Sequence, residues 1–572
     1  MSRTRGELLA AAVAWIDGDP EPSTCAELIA LCDAGDFAEL AERLQPLSFG
    51  TAGLRGAVGA GPGRMNVAVV LRAAFGIAQY VVDRPGLAER PLVIGFDARP
   101  TSRAFAEASA EVLVAAGLRV VAFRKPTATP LCAFFGRELG AAITIVVTAS
   151  HNPRGDNGYK VYGPDAVQIV APLDGEIAQN IAEAPPARLV PRKLLSFDRA
   201  ERELDGLTLL GEADTEAYFS AVSAAIPASS RGRELGIVHS ALHGVGSEPL
   251  RRVLGDAGFV RVDSVAAQAE PDGSFPTTPF PNPEEPGTMD LGLAEAERRS
   301  AALLLVNDPD ADRLAVAARL DGALTVLDGN QVGALLADYL LSLEPRAELP
   351  LLLSSVVSSP LVERIARARG AWHERTHTGF KWLWSAALEL TRHGAGRFCF
   401  AYEEALGYSV FPAVRDKDGI AAGRAVAELG AQLASRDATL FDRLYELYAE
   451  HGMWISASRN VALDGADASE RVAASLNALP ARLGEHAVVR SLDYRGGQEL
   501  RPAWLGAAPL IELELEQGQR LLVRPSGTEP KLKLYGHVRG LLTQRGNFAR
   551  DMAEARRSAA ALLEQLELAL AL

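Results

Sequence analysis

The sequence predicts an α/β fold that ends in a smaller α+β region, and three features support this prediction. Short β-branched apolar runs alternate with alanine-rich amphipathic stretches, which is typical of α/β layers. Several of these runs end directly in a polar loop, the place where open α/β sheets bind ligands. After Trp454 the pattern changes to alternating strands, followed by a long Ala/Leu/Glu helix from about Asn547.

The predicted elements follow from the hydrophobic pattern along the chain. The first residues place arginines before an apolar run, as a signal peptide does, but no small-residue cleavage site follows. Thr4 and Glu7 instead fit a helix capping box, so we expect an N-terminal helix. The remaining predictions are strands at 92–96, 142–147, 236–240, 303–306, 351–357, 398–401, 510–515 and 520–523, and helices at 104–116, 294–299, 331–343 and 421–434.

The length of 572 residues suits several domains of roughly 100–200 residues each. Turn-rich and Pro-rich stretches suggest boundaries near residues 205, 320 and 455. We therefore expect α/β domains at 1–205, 206–320 and 321–455, and an α+β domain at 456–572.

Composition and charge exclude several classes of protein. The chain is 48% hydrophobic and 23% charged, which excludes global disorder. Its 58 basic and 72 acidic residues give a net charge of −14, which repels a phosphate backbone, so we expect no nucleic-acid partner. No run reaches about 18 apolar residues, so we expect no membrane span. The four cysteines form no Cys-x-x-Cys pair, which favours a reducing cytoplasm.

The most informative loop follows the predicted strand 142–147 and reads Thr-Ala-Ser-His-Asn-Pro-Arg-Gly-Asp-Asn-Gly-Tyr-Lys. It places the Ser150 hydroxyl beside the His151 imidazole, and turn formers bring the Lys160 ammonium back ten residues later. A nucleophile, a polar partner and a proton shuttle would then meet in one loop. A surface turn, in which Ser150 caps the next element and His151 is solvated, is the alternative.

Three carboxylates, those of Asp308, Asp310 and Asp312, follow the predicted strand 303–306 at alternate positions. They repel one another unless a cation lies among them, which favours Mg²⁺ ligation over an acidic turn in water. An EF-hand is excluded, because its sixth position would be Arg313 instead of Gly. An aspartyl-phosphate phosphatase loop also carries Asp-x-Asp, but it normally continues with Thr or Val where Asp312 stands.

Further loops offer binding chemistry that is weaker on local grounds. Small residues after Arg524 would let backbone N–H groups approach a phosphate, although a plain turn is the alternative. Paired carboxylates at Glu403 and Glu404 suit sugar hydroxyls or a solvated acidic turn. Thr378 lies in a Thr-His-Thr-Gly-Phe-Lys-Trp segment that could equally be a capped helix entry. Arg55 lies among glycines, which is a weak signal alone.

In this order, the loops resemble those of the alpha-D-phosphohexomutase superfamily, which includes phosphoglucomutases and phosphomannomutases. The resemblance extends from Phe-Gly-Thr-Ala-Gly-Leu-Arg-Gly at 49–56 to Arg-Pro-Ser-Gly-Thr at 524–528. Thr-Ala-Ser-His-Asn-Pro, Thr-Gly-Phe-Lys-Trp and Glu-Glu-Ala-Leu-Gly-Tyr look most like the phosphoglucomutase-2 and phosphopentomutase branch. The resemblance implies three related mixed-sheet α/β domains and a smaller C-terminal α+β domain around a central cleft.

The resemblance also implies a role for each loop. Ser150 would carry a phosphoryl group, with His151 shaping its loop, and the three aspartates would hold one Mg²⁺ together with a phosphoserine oxygen. Lys160 would be the general base, with a pKa lowered by Arg55 and Mg²⁺ or by desolvation. Arg55 and Arg313 would stabilise the transferred phosphoryl group. Further contacts would come from the sugar-binding residues Arg313, Thr378, Gly379, Lys381, Glu403 and Glu404, and from the phosphate-binding residues Arg524, Ser526, Gly527 and Thr528.

The function implied is a Mg²⁺-dependent mutase that interconverts sugar 1- and 6-phosphates through a bisphosphorylated sugar, with glucose favoured. Many superfamily members carry a serine where this chain has Ala405, so phosphomannomutase, phosphopentomutase and glucose 1,6-bisphosphate synthase activities stay open. We expect a small phosphosugar as partner, a sugar bisphosphate such as glucose 1,6-bisphosphate as activator, and a monomer. A non-catalytic sugar-phosphate sensor is disfavoured, because Ser150, Lys160 and the aspartates are all retained.

Overall fold

The computed structural model describes residues 3–48, 53–199, 201–344, 348–462, 471, 474, 476–477, 479–496, 502–525 and 531–570. The chain forms two compact units. The first comprises Met1–Ala317 and Gly407–Ala431, and the second comprises Ala318–Leu406 and Gln432–Leu572. Among the described residues, no helix combines the length and apolar character needed to cross a bilayer.

The first unit begins with three helices, α1 (Arg5–Gly18), α2 (Pro22–Ala34) and α3 (Phe37–Arg43). The predicted capping box at the start of α1 is confirmed. The Thr4 N–H donates to Glu7 Oε2 at 2.7 Å, and the Glu7 N–H donates to Thr4 Oγ1 at 3.4 Å. A small apolar cluster that includes Leu8, Leu28 and Leu40 holds the three helices together.

A seven-stranded mixed sheet follows, with the strands β1 (Leu54–Ala57), β2 (Leu92–Phe96), β3 (Val120–Phe123), β4 (Ile143–Val147), β5 (Asp156–Tyr162), β6 (Glu203–Leu204) and β7 (Leu207–Leu210). Their order in the sheet is β1-β5-β4-β2-β3-β7-β6. Strands β4, β2, β3 and β7 run parallel, so their carboxyl ends meet at one edge. The accompanying helices are α4 (Val67–Val82), α5 (Pro85–Ala88), α6 (Ser102–Ala115), α7 (Thr129–Glu138) and α8 (Leu173–Ala182).

A second sheet continues the first unit. The strands of this sheet that begin in the first unit are β8 (Ile237–Ser240), β9 (Val262–Ser264), β10 (Leu303–Val306) and β11 (Ala315–Leu320), and β10, β8 and β9 are parallel. The helices are α9 (Glu216–Ala225), α10 (Ser247–Asp256) and α11 (Asp290–Arg298). Strand β10 is fully buried, as its unbroken apolar sequence predicts.

The second unit begins within β11 and continues with β12 (Ala323–Leu327), α12 (Gly329–Leu343), β13 (Pro350–Ser355), α13 (Leu361–Ala368), β14 (Trp372–Thr376), α14 (Phe380–Arg392) and β15 (Arg397–Glu403). Strand β13 pairs in parallel with both β14 and β15. The chain then returns to the first unit with β16 (Gly407–Ser409) and most of α15 (Gly419–Ala434).

The C-terminal part of the second unit is an antiparallel sheet. Helix α16 (Leu440–His451) precedes its strands, and α17 (Phe548–Ala569) follows them. The strands are β17 (Met453–Ala462), β18 (Arg482–Leu483), β19 (His486–Asp493), β20 (Ile511–Leu515), β21 (Arg520–Pro525) and β22 (Lys531–Gly540), in the sheet order β17-β22-β21-β20-β19-β18. The predicted α/β fold with a smaller C-terminal α+β domain is confirmed. The domain boundaries near 205, 320 and 455 stay a prediction.

Three predicted strand ends are wrong by two residues. The strand predicted at 520–523 extends to Pro525, because Arg524 and Pro525 still pair with β22. The predicted strand 351–357 ends at Ser355, because Val356 and Val357 continue the buried apolar run as a turn. Strand β15 is longer than the predicted 398–401, so Glu403 is the last residue of a strand and not part of the following loop. A hydrophobic run in the sequence shows where a strand is buried. The residues at which β13 and β15 end depend instead on how these two strands pair with each other.

A buried ion pair anchors α15 in the first unit, and breaking it is expected to destabilise the fold. Both terminal nitrogens of Arg233 donate to the Glu428 carboxylate, at 2.9 and 2.6 Å, and Glu428 is 0% exposed. Arg233→Met leaves this carboxylate buried without its cation, so we expect a loss of about 3 kcal/mol in the free energy of unfolding. The exposed pair of Arg298 with Glu295 offers a control, and Arg298→Met should cost under about 0.5 kcal/mol. Urea unfolding measures both, and equal losses would contradict the expectation.

Candidate active site

The loop between β4 and β5 presents Ser150 from the edge of the first sheet. These strands pair antiparallel, with Val146 opposite Lys160, so the loop is a reversal that returns Lys160 beside the strand that leads to Ser150. Ser150 is 3% exposed and has a backbone φ of +51°, a left-handed conformation that a residue with a side chain rarely adopts. Such strain costs on the order of 1–3 kcal/mol and is concentrated at functional sites.

The Ser150 hydroxyl is held between an acidic and an imidazole side chain. Its Oγ donates to Asp308 Oδ2 at 2.7 Å and lies 3.3 Å from His151 Nδ1. Burial, with the cations Arg313 and Arg55, lowers the pKa of His151 well below its ordinary value, so this imidazole is neutral at neutral pH. The alternative of a surface turn does not fit Ser150, because Ser150 is buried and the element that follows the loop is a strand, while His151 is only partly buried.

Asp308, Asp310 and Asp312 converge after β10, and Ala311, with φ of +58°, makes the turn between the last two. One carboxylate oxygen from each lies within 4.8 Å of the others, and none of the three side chains is more than 1% exposed. This burial rules out the acidic turn in water. Burial and the neighbouring carboxylates raise the pKa of Asp308.

The donor set of these aspartates fits a divalent cation. The Oδ1 atoms of Asp310 and Asp312 are buried and have no hydrogen-bond partner among the described residues. Unpaired buried carboxylate oxygens are costly unless a cation neutralises them, and hard oxygen ligands suit Mg²⁺. The residues that the sequence predicts as metal ligands are thus placed together and are chemically suited to that role.

Lys160 forms ion pairs with two of these carboxylates. Its Nζ lies 2.7 Å from Asp310 Oδ2 and 2.7 Å from Asp312 Oδ2. Burial alone would lower the pKa of Lys160, but the two carboxylates outweigh burial and raise it. Burial raises the pKa of Asp310 and Asp312, but the Lys160 ammonium that both carboxylates face helps to bring the pKa of each below its ordinary value. The predicted lowering of the Lys160 pKa is therefore wrong for this arrangement, in which anions and not cations are its nearest neighbours.

Two arginines complete this cluster. Arg55 on β1 donates from Nη1 to Asn152 Oδ1 at 2.9 Å, while its Nε is buried without a hydrogen-bond partner among the described residues. The backbone N–H of Arg313 donates to Asp308 Oδ1 at 3.0 Å. Residues 49–52 of the glycine-containing motif before Arg55 lie outside the described residues. The structure thus brings together every predicted residue of the serine and aspartate loops.

Sequence reasoning missed several residues of this cluster. Lys417 Nζ lies 3.3 Å from Asp312 Oδ2, and Thr129 Oγ1 donates to Asp310 Oδ2 at 2.6 Å. A Cβ on Gly419 would lie 2.2 Å from the Arg313 carbonyl oxygen, so only glycine allows this close approach to the aspartate loop. The Asp-Lys-Asp-Gly run at 416–419 was the available signal, but it also fits a helix entry, since Asp418 does accept from the first N–H groups of α15.

Apart from Arg313, which belongs to the first unit, the predicted sugar-binding residues lie in the second unit. The Gly379 N–H donates to Glu403 Oε1 at 2.5 Å, and Gly379 has φ of +121°. Thr378 does not cap α14, and its Oγ1 is buried without a hydrogen-bond partner among the described residues. Glu404 differs from Glu403, because its carboxylate accepts hydrogen bonds from two serines of its own domain, Ser355 and Ser358.

The remaining predicted residues of the second unit are only partly described. Lys381 is 6% exposed, with its Nζ 5.4 Å from the centroid of the Trp382 ring. Arg524 is half-buried on β21, where its backbone pairs with that of Lys533. Ser526, Gly527 and Thr528 lie outside the described residues.

Three family models match the chain in order. They describe α/β/α domains I, II and III of phosphoglucomutase/phosphomannomutase, and they match residues 46–188, 216–321 and 328–450. The chain belongs to this family. It is a member of the alpha-D-phosphohexomutase superfamily and an intramolecular phosphotransferase that acts as a sugar-phosphate mutase.

Curated relatives of this mutase cover most of its length. A protein of Pongo abelii named "Phosphopentomutase" is 34% identical, over 92% of this chain and 90% of its own. A protein of Haemophilus influenzae named "Probable phosphomannomutase" is 35% identical, over 83% of this chain and 93% of its own. A solved structure of a putative phosphomannomutase from Thermus thermophilus has a TM-score of 0.66 at 22% identity, over 90% of this chain and 99% of its own, and shows the shared fold.

Proposed function

We propose that this mutase interconverts glucose 1-phosphate and glucose 6-phosphate through a phosphoserine at Ser150 and a bisphosphorylated sugar. The observation that carries the proposal is the 2.7 Å contact of Ser150 Oγ with Asp308 Oδ2 inside a buried carboxylate cluster. A phosphoryl group on this hydroxyl would lie beside the metal ligands. A serine that only stabilised a turn would need neither this contact nor the strained backbone.

Each side chain of the first cluster has a task in this scheme. Asp308, Asp310 and Asp312 would hold Mg²⁺, which when bound offsets the negative charge of a phosphoserine. Ser150 Oγ gives its phosphoryl group to a free hydroxyl of the sugar phosphate and later takes the other phosphoryl group back. Lys160 Nζ exchanges the proton of that sugar hydroxyl, and it must leave its ion pairs in neutral form to accept it.

The arginines and the predicted sugar-binding residues of the second unit bind the substrate in this proposal. Arg55 and Arg313 stabilise the phosphoryl group during transfer, and the unpartnered Arg55 Nε supports this role. Sugar hydroxyls would be bound by Thr378, Gly379, Lys381, Glu403 and Glu404. A sugar bisphosphate such as glucose 1,6-bisphosphate would rephosphorylate a Ser150 that had lost its phosphoryl group, so we propose it as activator. A monomeric state and a cytoplasmic location stay predictions.

A substrate panel tests the preferred sugar. Glucose, mannose and ribose 1-phosphates are assayed with Mg²⁺ and a trace of glucose 1,6-bisphosphate, and the largest kcat/KM is expected for glucose. Ala405, next to the proposed sugar-binding residues Glu403 and Glu404, offers no hydroxyl to the substrate. The preferred sugar of this mutase therefore cannot be taken from superfamily members that carry a serine at this position. Pentose phosphate is the second candidate, favoured by the relative named phosphopentomutase. If kcat/KM is highest for ribose 1-phosphate, pentose phosphate replaces glucose phosphate as the proposed substrate. If it is highest for mannose 1-phosphate, both the glucose and the pentose proposals are contradicted.

Arg524→Ala is expected to raise KM about tenfold with a smaller change in kcat. We propose that Arg524 binds the phosphate that does not react, and a charge-assisted hydrogen bond of this kind contributes about 1.5–3 kcal/mol. Arg490→Ala, at an exposed position of β19 in the same sheet, is the control. Steady-state kinetics measure both variants. An Arg524→Ala enzyme with the KM of the control would remove Arg524 from the binding site.

A further inference from the structure

We propose that Arg99 is a positioning residue that fixes the backbone of the serine loop in its reactive conformation. The proposal rests on the proposed role of Ser150 and extends it to a residue outside the predicted site. Arg99 touches none of the side chains that the scheme assigns to substrate or metal. It acts on the backbone that carries Ser150.

The Arg99 guanidinium donates hydrogen bonds to four backbone carbonyl groups of this loop. Nη1 donates to the carbonyl oxygens of Pro153 and Asp156, at 2.8 and 2.9 Å. Nη2 donates to those of Ser150 and Asn152, at 2.8 and 2.6 Å. The Arg99 side chain is 1% exposed, so water does not compete for these carbonyls. One planar cation therefore determines the path of the chain from Ser150 to Asp156.

Asp97 connects the same guanidinium to the other side of the loop. Its carboxylate lies 3.3 Å from Arg99 Nε and accepts a hydrogen bond from Thr148 Oγ1 at 2.7 Å. That Thr148 hydroxyl oxygen in turn accepts from the Ser150 N–H at 2.8 Å. Asp97 and Arg99 thus hold the backbone N–H and the carbonyl oxygen of Ser150 from one place.

Sheet topology explains why these residues meet. Strands β2 and β4 are adjacent and parallel, so the residues that follow Phe96 and Val147 emerge at the same edge. A further contact holds the Arg99 guanidinium. It lies 5.0 Å from the centroid of the ring of Phe275, a residue of the first unit that follows β9. Arg99 is therefore held on both sides and has little freedom to follow a displaced loop.

The conformation that Arg99 holds is one the loop would not adopt by itself. Ser150 has φ of +51°, and such a residue relaxes unless its surroundings determine it. Four carbonyl groups facing one another without a cation also repel. Loss of the guanidinium should therefore shift Ser150 Oγ away from Asp308, and a shift of about 1 Å in a reacting atom can lower a rate about 100-fold.

The test compares Arg99→Met and Arg99→Lys with Arg90→Met. Arg90 is a matched control, because its guanidinium also binds three backbone carbonyls of the same domain, those of Gly140, Ala141 and Pro164, away from the serine loop. Each variant is assayed for kcat, KM and thermal stability, and for tryptic cleavage after the exposed Arg154 within the loop. Arg99→Lys keeps a positive charge at this position, so it can be compared with Arg90→Met if Arg99→Met does not fold.

We expect Arg99→Met to lower kcat about 100-fold with KM changed less than about twofold, and to speed cleavage after Arg154. Arg99→Lys should recover about tenfold of that loss, while Arg90→Met should lose stability but keep kcat. A kcat in the Arg99 variants no lower than that of Arg90→Met, or a loss expressed only in KM, would overturn the proposal. Cleavage after Arg154 reports the loop without catalysis, so failure of the Ser150 scheme would appear separately, as turnover that survives Ser150→Ala.

Discussion

Ser150→Ala is expected to lower kcat by more than about 10⁴-fold, because the variant has no oxygen to carry the phosphoryl group between the two halves of the reaction. Ser150 Oγ is the hydroxyl that contacts Asp308, and the neighbouring His151 imidazole is no substitute at the same position. KM should change little by comparison, since the substrate is proposed to bind through other residues.

Ser220→Ala provides the matched control, because Ser220 is an exposed serine on α9 and the same atom is removed there. Conversion of glucose 1-phosphate is followed with glucose 1,6-bisphosphate present, so that a lack of activator does not limit the rate. Thermal melting of both variants shows whether they fold. A folded Ser150→Ala protein that turned over at the rate of Ser220→Ala would contradict the scheme.

Asp310→Asn is expected to lower kcat about 10²–10³-fold and to weaken Mg²⁺ binding. The substitution removes one of three buried carboxylates and also one partner of Lys160. Metal affinity falls because a neutral amide replaces one of three anionic ligands, and the two carboxylates that remain attract the cation less strongly. Chelation of Mg²⁺ from the unaltered protein should lower activity to a similar extent and be reversed when the metal is returned.

A readout besides activity separates metal loss from damage to catalysis. A ligand that binds only the folded state raises the melting temperature, so Mg²⁺ should stabilise the unaltered protein and stabilise Asp310→Asn less. Asp256→Asn, at an aspartate of α10 that pairs with Arg252, is the control and should keep the full Mg²⁺ response. An Asp310→Asn protein with the same Mg²⁺ response as this control would exclude Asp310 from the metal site.

The fold and the first cluster could be predicted from the sequence because their signals are local. Strand β10 is an unbroken apolar run, and the three aspartates directly follow it. Ser150 stands next to His151 after another such strand. In both cases the buried strand determines where the loop begins. The hydroxyl, imidazole and carboxylate groups in these loops indicate a nucleophile and metal ligands without knowledge of the fold.

The rest could not be predicted because it depends on long-range placement. Arg99 lies more than 50 residues before the loop that it holds, and an arginine after a strand reads as an ordinary surface residue. Lys417 reaches Asp312 from across the sequence, within a run that also fits a helix entry. The raised pKa of Lys160 follows from which carboxylates face it, and sequence spacing does not show that.

Phosphate labelling tests most directly whether Ser150 carries the group that is exchanged. The protein is incubated with Mg²⁺ and glucose 1,6-bisphosphate labelled in its phosphoryl groups, digested with trypsin and examined at peptide 138–154, which contains Ser150. We expect label on Ser150, released into sugar bisphosphate when unlabelled glucose 1-phosphate is added. Label on another residue of an active protein, or label on Ser150 that this substrate does not remove, would contradict the account.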